Sequence, residues 1–231
     1  GVGELSSNNI QEVSDMALIA TAASLESRIP FLHFFDGFRS SHEIQKVEEL
    51  DYEDMKKMIK PETVHAHRMR SLDPEQPSIR GTSQNPDVFF AARETVNEYY
   101  NAAPGIVQDV MDRFQKLVGR EYKLFQYVGH PEAERVVLMM GSGAETMDET
   151  VTHLVEQGEK VGLIKVRLYR PFSLDHLAAA LPATVKSICA LDRTKEPGTY
   201  GEPLYEDVKS SIPEMISSGK VGFKTMPTVV G

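Results

Sequence analysis

Between Arg135 and Arg193 the apolar positions fall into short unbroken runs separated by stretches of helical spacing, and this alternation organises the chain. Arg135-Val136-Val137-Leu138-Met139-Met140 is too short for a helix and long enough for a buried strand. It stops at Gly141-Ser142-Gly143. From Ala144 to Gln157 the residues Met147, Val151, Leu154 and Val155 recur at helical spacing, with Glu145, Asp148 and Glu149 early, where a helix dipole favours negative charge. Gly158 ends this helix, and Val161 to Val166, a helical Ser173 to Leu181 and Val185 to Leu191 follow. The pattern predicts parallel strands joined by right-handed crossovers, with Gly141 to Gly143, Arg167 to Pro171 and Asp192 to Gly198 sharing one edge.

Upstream, Asn9 and Glu12 have the spacing of a capping box, and Val13, Ala17, Ala20 and Leu25 lie near one side of the alanine-rich helix that follows. Pro30 to Phe35 is so aromatic that it predicts a central strand covered on both faces. A helix is expected from Glu43 to Leu50, another from Asp51 to Ile59 with Asp51 as cap, and a third from Pro61 to Met69. Residues 71–86 read as an irregular excursion that ends where Asn85 caps a helix with Pro86 at its first position. Phe89, Phe90, Val96, Tyr99 and Tyr100 give that helix an apolar side. Pro104 is expected to begin the next, whose stripe of Ile106, Val110, Met111, Phe114, Leu117 and Val118 ends at Gly119. Glu121 to Glu134 reads as a connector, which divides the chain into units of residues 1–128 and 129–231. The fold class is therefore α/β, with two open, mainly parallel sheets flanked by helices. Gly1 follows no methionine and Pro227 to Gly231 is strand-like with nothing after it, so the chain is expected to be a segment of a longer one.

Composition narrows the function classes. A net charge of -9 argues against a nucleic-acid or anionic-membrane surface, and no apolar run approaches a membrane span. The expectation is a soluble, cytoplasmic protein with neither nucleic acid nor membrane as partner. The single cysteine, Cys189, excludes an internal disulfide and any cluster ligated by this segment alone.

The chemically loaded positions are few. Asp36, Arg39, His42 and Glu43 follow the aromatic strand and can bind a polar ligand or orient a partner domain; an ion pair beside a Ser40 or Ser41 cap explains them equally. Arg80-Gly81-Thr82-Ser83-Gln84-Asn85 offers donors and a flexible glycine, or is a surface loop. Arg167 and Arg170 can hold an anion or supply ion pairs to another domain. The histidines lack metal-ligand spacing, since His65 and His67 are two apart and point to different sides of a helix. Gly141-Ser142-Gly143 is not a dinucleotide fingerprint: Thr146 stands at the third glycine, and the second strand ends in Arg167 and Arg170 rather than a ribose-binding acid.

Several long phrases carry a resemblance. Asn9-Ile10-Gln11-Glu12-Val13-Ser14-Asp15-Met16-Ala17, Phe31 to Glu43, and Arg80 to Asp87 with Tyr99-Tyr100 resemble the later half of the first domain of the pyruvate:ferredoxin (flavodoxin) oxidoreductase family. Lys165 to Phe172 and Leu191 to Gly198 resemble its second domain. The resemblance implies a partial transketolase pyrimidine-type domain followed by a truncated transketolase C-terminal-like domain, within a large homodimeric enzyme. That enzyme would convert pyruvate and coenzyme A to acetyl-CoA and CO2 with thiamine diphosphate, Mg and iron-sulfur clusters, passing electrons to ferredoxin or flavodoxin. A cytoplasmic or, in a eukaryote, hydrogenosomal location goes with it. It also implies that the catalytic groups lie before Gly1 or after Gly231, so that none is assigned here and this piece alone has no turnover. A non-catalytic assembly segment, or a related 2-oxoacid oxidoreductase including an NADP-linked fusion, remain as alternatives. Asp36, Arg39, His42, Arg80, Gln84, Asn85, Arg167 and Arg170 are the candidates for ligand or interdomain contacts.

Overall fold

The computed structural model of the chain describes residues 1–79, 83–223 and 225–231, with the side chain of Arg39 also outside the described set. Strand β1 (Gly3–Ser6) leads through helix α1 (Ile10–Ser27) to β2 (Phe31–Phe34), which runs parallel to β1 with Glu4 beside Leu32 and Ser6 beside Phe34. Asn9 Oδ1 accepts the Glu12 amide at 2.9 Å, while Glu12 Oε2 accepts the amide of Asn8 at 2.9 Å. The capping box thus forms with its return bond displaced by one residue. Met16, Ile19, Ala20 and Ala23 on α1 are buried with Val107, Val110, Met111 and Phe114 of α6 (Asn97–Val118), the small residues letting the two helices approach.

Between β2 and α6 lie α2 (Arg39–His42), α3 (Tyr52–Met58), α4 (Pro61–Met69) and α5 (Pro86–Glu94). Asp51 caps α3, its Oδ1 accepting the Asp54 amide at 2.7 Å, whereas Asn85 makes no side-chain cap bond to α5. The expected helix from Glu43 to Leu50 is absent. That stretch forms no regular element, and Gln11 ties it to α1, its side chain accepting the Glu48 amide at 2.7 Å and donating to its carbonyl at 3.2 Å. Pro104 does not begin a helix but sits inside α6, where it forfeits a hydrogen bond to Tyr100. Strand β2 is also not central: it is an outer strand of a three-stranded sheet, leaving Leu32 55% exposed.

The connector expected at Glu121 to Glu134 contains a strand. β3 (Phe125–Gly129) pairs antiparallel along its length with β5 (Val161–Val166). β4 (Arg135–Met139), α7 (Gly143–Glu156), β5, α8 (Leu174–Ala180) and β7 (Ser187–Leu191) give the expected strand and helix alternation, with β4 parallel to both β5 and β7. Helix α9 (Pro203–Ser217) leads to β8 (Thr228–Val230), and the sheet reads β3-β5-β4-β7-β8. The short β6 (Leu168–Arg170) leaves this sheet after Arg167 and pairs antiparallel with β1, Leu168 against Leu5 and Arg170 against Glu4. A strand from the second unit therefore completes the first sheet, and one buried apolar cluster runs from Leu5 and Met16 to Ile188 and Ile212. None of the described helices is long and apolar enough to cross a membrane.

At the end of β3, Gly129 has φ +134, and a Cβ there would lie 2.6 Å from both Gly162 Cα and the Val161 carbonyl. Gly129→Ala is expected to cost about 3 kcal/mol or more, since a glycine-only conformation is compounded by a backbone clash. Gly105→Ala, in open space inside α6, should instead stabilise by about 0.5–1 kcal/mol. Urea midpoints of the two variants check both signs.

Candidate functional site

The carboxyl ends of β1, β2, β4 and β7 converge where the two sheets meet, which is where open α/β sheets place their ligands. Asp36, two residues past β2, is the hub of this junction. Its Oδ1 accepts the Ser142 amide at 2.7 Å, and its Oδ2 accepts the Ser142 hydroxyl at 2.7 Å. Arg193, beyond β7, places Nη1 2.8 Å from the same Oδ2 and donates to Ser142 Oγ at 3.2 Å. Gly141 makes this approach possible: it has φ +75, and a Cβ there would stand 2.8 Å from Asp36 Oδ1. Burial works to raise the Asp36 pKa, but the Ser142 hydrogen bonds and the Arg193 guanidinium outweigh it and hold the carboxyl below its usual range.

Two clefts flank this cluster and share Arg193 as a wall. One, of about 420 Å³, is apolar, with Leu32, Phe34, Phe35, Met140, Leu191 and Pro203 in its walls and Glu4 and Ser6 projecting from β1. The other, of about 430 Å³, is polar and lies between Asn8 and Asn9 at the start of α1 and Ser142 and Gly143 at the start of α7.

Behind the junction sits a buried ion pair. Arg167 donates from Nη2 to Glu12 Oε1 at 2.7 Å and from Nε to Oε2 at 3.1 Å, both side chains being at most 5% exposed. Its Nη1 reaches Gln126 Oε1 at 2.5 Å and the Lys123 carbonyl at 3.3 Å, and the guanidinium lies over the Tyr122 ring at 5.1 Å. Tyr122 donates to Asp15 Oδ2 at 2.7 Å, and Arg120 Nε pairs with the same carboxylate at 2.6 Å. Burial, helped by Asp15, pushes the Tyr122 hydroxyl pKa up, so it stays a donor.

The sequence candidates divide accordingly. Asp36 stands at the junction and Arg167 behind it, while Arg170 Nη1 pairs with Asp207 Oδ2 at 2.7 Å and its guanidinium lies over the Tyr169 ring at 3.8 Å. His42 is not brought to Asp36; it is exposed, its Nδ1 bonded to Ser41 Oγ at 2.6 Å and its ring stacked on Phe38. Gln84 and Asn85 are exposed at the start of α5. Arg80 and the side chain of Arg39 lie outside the described residues. Sequence reasoning missed Ser142, whose hydroxyl carried no motif, and Glu12 as an ionic partner, since it reads locally as a cap. Among the described residues no group of three or more His, Cys, Asp or Glu is placed to hold a metal ion. Cys189 is half-buried in β7, and burial pushes its thiol pKa up.

Residues 1–112 match the family model described as pyruvate flavodoxin/ferredoxin oxidoreductase, thiamine diP-bdg, and residues 133–223 match pyruvate:ferredoxin oxidoreductase core domain II. The pyruvate:ferredoxin oxidoreductase of Moorella thermoacetica is 57% identical over 214 residues, 93% of this chain and 18% of that one. The pyruvate-flavodoxin oxidoreductase of Trichormus variabilis is 57% identical over 231 residues, 100% of this chain and 19% of that one. A solved structure of 2-oxoglutarate:ferredoxin oxidoreductase from Magnetococcus marinus is 16% identical with a TM-score of 0.49, over 99% of this chain and 39% of that one. The chain thus spans about a fifth of the length of the two sequence relatives.

Removing Arg167 leaves the Glu12 carboxylate buried without its cation, so Arg167→Ala is expected to lose about 3–5 kcal/mol, read as a lower denaturant midpoint. Pairing Arg167→Met with Glu12→Gln should recover a large part of that loss, because no uncompensated charge then remains. Asp36 adds a pH signature. Its folded pKa lies below the unfolded value of about 3.9, so its contribution is present above that pH and is lost as pH falls through the folded value. Asp36→Asn should be less stable by about 1–2 kcal/mol at pH 6, and the deficit should narrow as melting is repeated below about pH 4.

Proposed function

Because the chain belongs to the pyruvate:ferredoxin/flavodoxin oxidoreductase family, we propose that it serves a longer enzyme performing oxidative decarboxylation of pyruvate. Coenzyme A would be the acyl acceptor, acetyl-CoA and CO2 the products, and ferredoxin or flavodoxin the electron acceptor. Within that enzyme these residues form two units: the C-terminal part of a thiamine-diphosphate pyrimidine-type domain, and a transketolase C-terminal-like domain. The pairing of β3 with β5 along its length supports a seam ahead of Phe125 in place of 128/129. Homodimerisation and a cytoplasmic location belong to the same reading.

Thiamine diphosphate, Mg, iron-sulfur clusters and coenzyme A would be the cofactors and substrate of the whole enzyme. The residues present do not fit the metal-dependent groups. A cluster needs several cysteine thiolates where this sequence has one, and the described residues hold no carboxylate and histidine group suited to a magnesium diphosphate.

The observation that carries the role of this segment is the engagement of its candidate groups. Asp36, Arg167 and Arg170 each pair with another residue of the chain, and Asp36 and Arg167 do so across the two sheets. That supports an architectural role, holding the two units in fixed relation, over direct chemistry at these side chains.

Two measurements test this. The full-length protein should reduce ferredoxin or flavodoxin dependent on both pyruvate and coenzyme A, whereas the 231-residue chain should give no turnover and no heat on titration with thiamine diphosphate or coenzyme A. Turnover by the 231-residue chain would overturn the architectural role, and preference of the full-length protein for another 2-oxoacid would reassign the substrate.

A further inference from the structure

The apolar cleft between β2 and the ends of β4 and β7 differs from every other feature of the junction in having an unused charge. Glu4 and Ser6 lie on one face of β1, and their register neighbours Leu32 and Phe34 lie on the same face of β2, so the four side chains line the cleft together. Among the described residues the Glu4 carboxylate has no hydrogen bond or ion pair, although Arg170 is its register neighbour, because Arg170 is engaged by Asp207 and Tyr169. Ser6 Oγ is buried and has no partner either. The cleft holds three carboxylates, Glu4, Asp36 and Asp192, against the single guanidinium of Arg193. Arg193 is taken by Asp36, and Asp192 caps α9 by accepting the amides of Leu204 and Tyr205 at 2.9 and 3.1 Å. Glu4 is the residual charge.

The apolar walls are open. Leu32, on the outer strand β2, is 55% exposed, and Phe35, just past its end, is 40% exposed. A surface of this kind is a docking surface, and its chemistry specifies the occupant. We propose that the cleft receives a stretch of the same longer polypeptide, outside residues 1–231, that is apolar along its contact face and carries one lysine or arginine that reaches Glu4 and Ser6. This rests on the reading that the chain is a segment of the oxidoreductase, whose relatives are about five times its length. A second copy of this chain fits less well, since it is net acidic at -9 while the cleft calls for a cation.

Hydroxyl-radical footprinting of the full-length protein tests this independently of turnover. Phe35 and Met140 should be labelled about tenfold more slowly than free side chains, and Glu4→Lys should raise their labelling about tenfold, an opening worth one decade in equilibrium. Met16 and Phe114 in the core should stay unlabelled in that variant, which reports an intact fold. Glu4→Gln, a milder change, should raise labelling by less, in the same direction. Wild-type labelling of Phe35 and Met140 at free side-chain rates, or an unchanged pattern in Glu4→Lys, would overturn the proposal. So would protection that disappears after gel filtration, because a dissociable small molecule would then be the occupant. Absence of pyruvate turnover with the protection intact would count against the enzymatic reading alone.

Discussion

The pair of Glu12 and Arg167 sets the relation between the two sheets. Taking a carboxylate and a guanidinium out of water costs several kcal/mol for each ion, and their mutual attraction offsets this only where geometry is good and the remaining lone pairs and protons are satisfied. Here they are. Glu12 accepts from the Asn8 amide and from two guanidinium nitrogens, and the third nitrogen of Arg167 is taken up by Gln126 and the Lys123 carbonyl. A misplacement large enough to break this fork would leave a buried charge unpaired. The pair therefore constrains geometry more than it adds stability, since an apolar replacement of similar volume is close to neutral.

One carboxylate thereby does two jobs that belong to different scales. As a cap it satisfies an orphan donor at the start of α1, and as an ion-pair partner it fixes the point at which the chain leaves β5 for β6. Because β6 then pairs with β1, the three-stranded sheet owes one of its strands to the second unit. Asp15, one turn after Glu12, adds a second tie through Arg120 and Tyr122. The outer contact of Asp36 with Arg193 is weaker in kind, since Arg193 is more than half exposed and water screens it. The bonds from Ser142 to Asp36 do not share that weakness, because the Ser142 amide is fixed at the start of α7.

Much of the fold was legible because periodicity reports burial on a strand or helix face. The runs at Arg135 and Val161 became β4 and β5, and Pro61 to Met69 became α4 with its proline at the first position. The failures share a cause. Glu43 to Leu50 was expected to be helical, but Ile44 is fully exposed and Gln11 takes the N–H and C=O of Glu48, which a helix would have bonded internally. Proline is favoured at first positions, yet α6 tolerates Pro104 about two turns in, where burial against α1 outweighs one lost hydrogen bond. β3 was hidden because an outer antiparallel strand only half buries its residues. In each case tertiary contact overrode a local signal.

The site was legible to a different degree. Sequence could mark Asp36, Arg167 and Arg170 as unusual, since charged residues at strand ends are few, but it could not supply partners, because Asp36 and Ser142 are 106 residues apart and Arg167 and Glu12 are 155 apart. The physical distinction lies between charges that have found partners and the one in the cleft that has not. A paired carboxylate such as Asp36 is held ionised by its donors and resists a newcomer, which would have to displace Ser142 and Arg193 together. Glu4 stands without a partner among the described residues beside apolar walls, where lower effective dielectric strengthens attraction to any cation that approaches with its own apolar stem. Of the residues marked from the sequence, Asp36 alone lines this cleft, and it does so as a paired wall, whereas Glu4 lines it without a partner among the described residues.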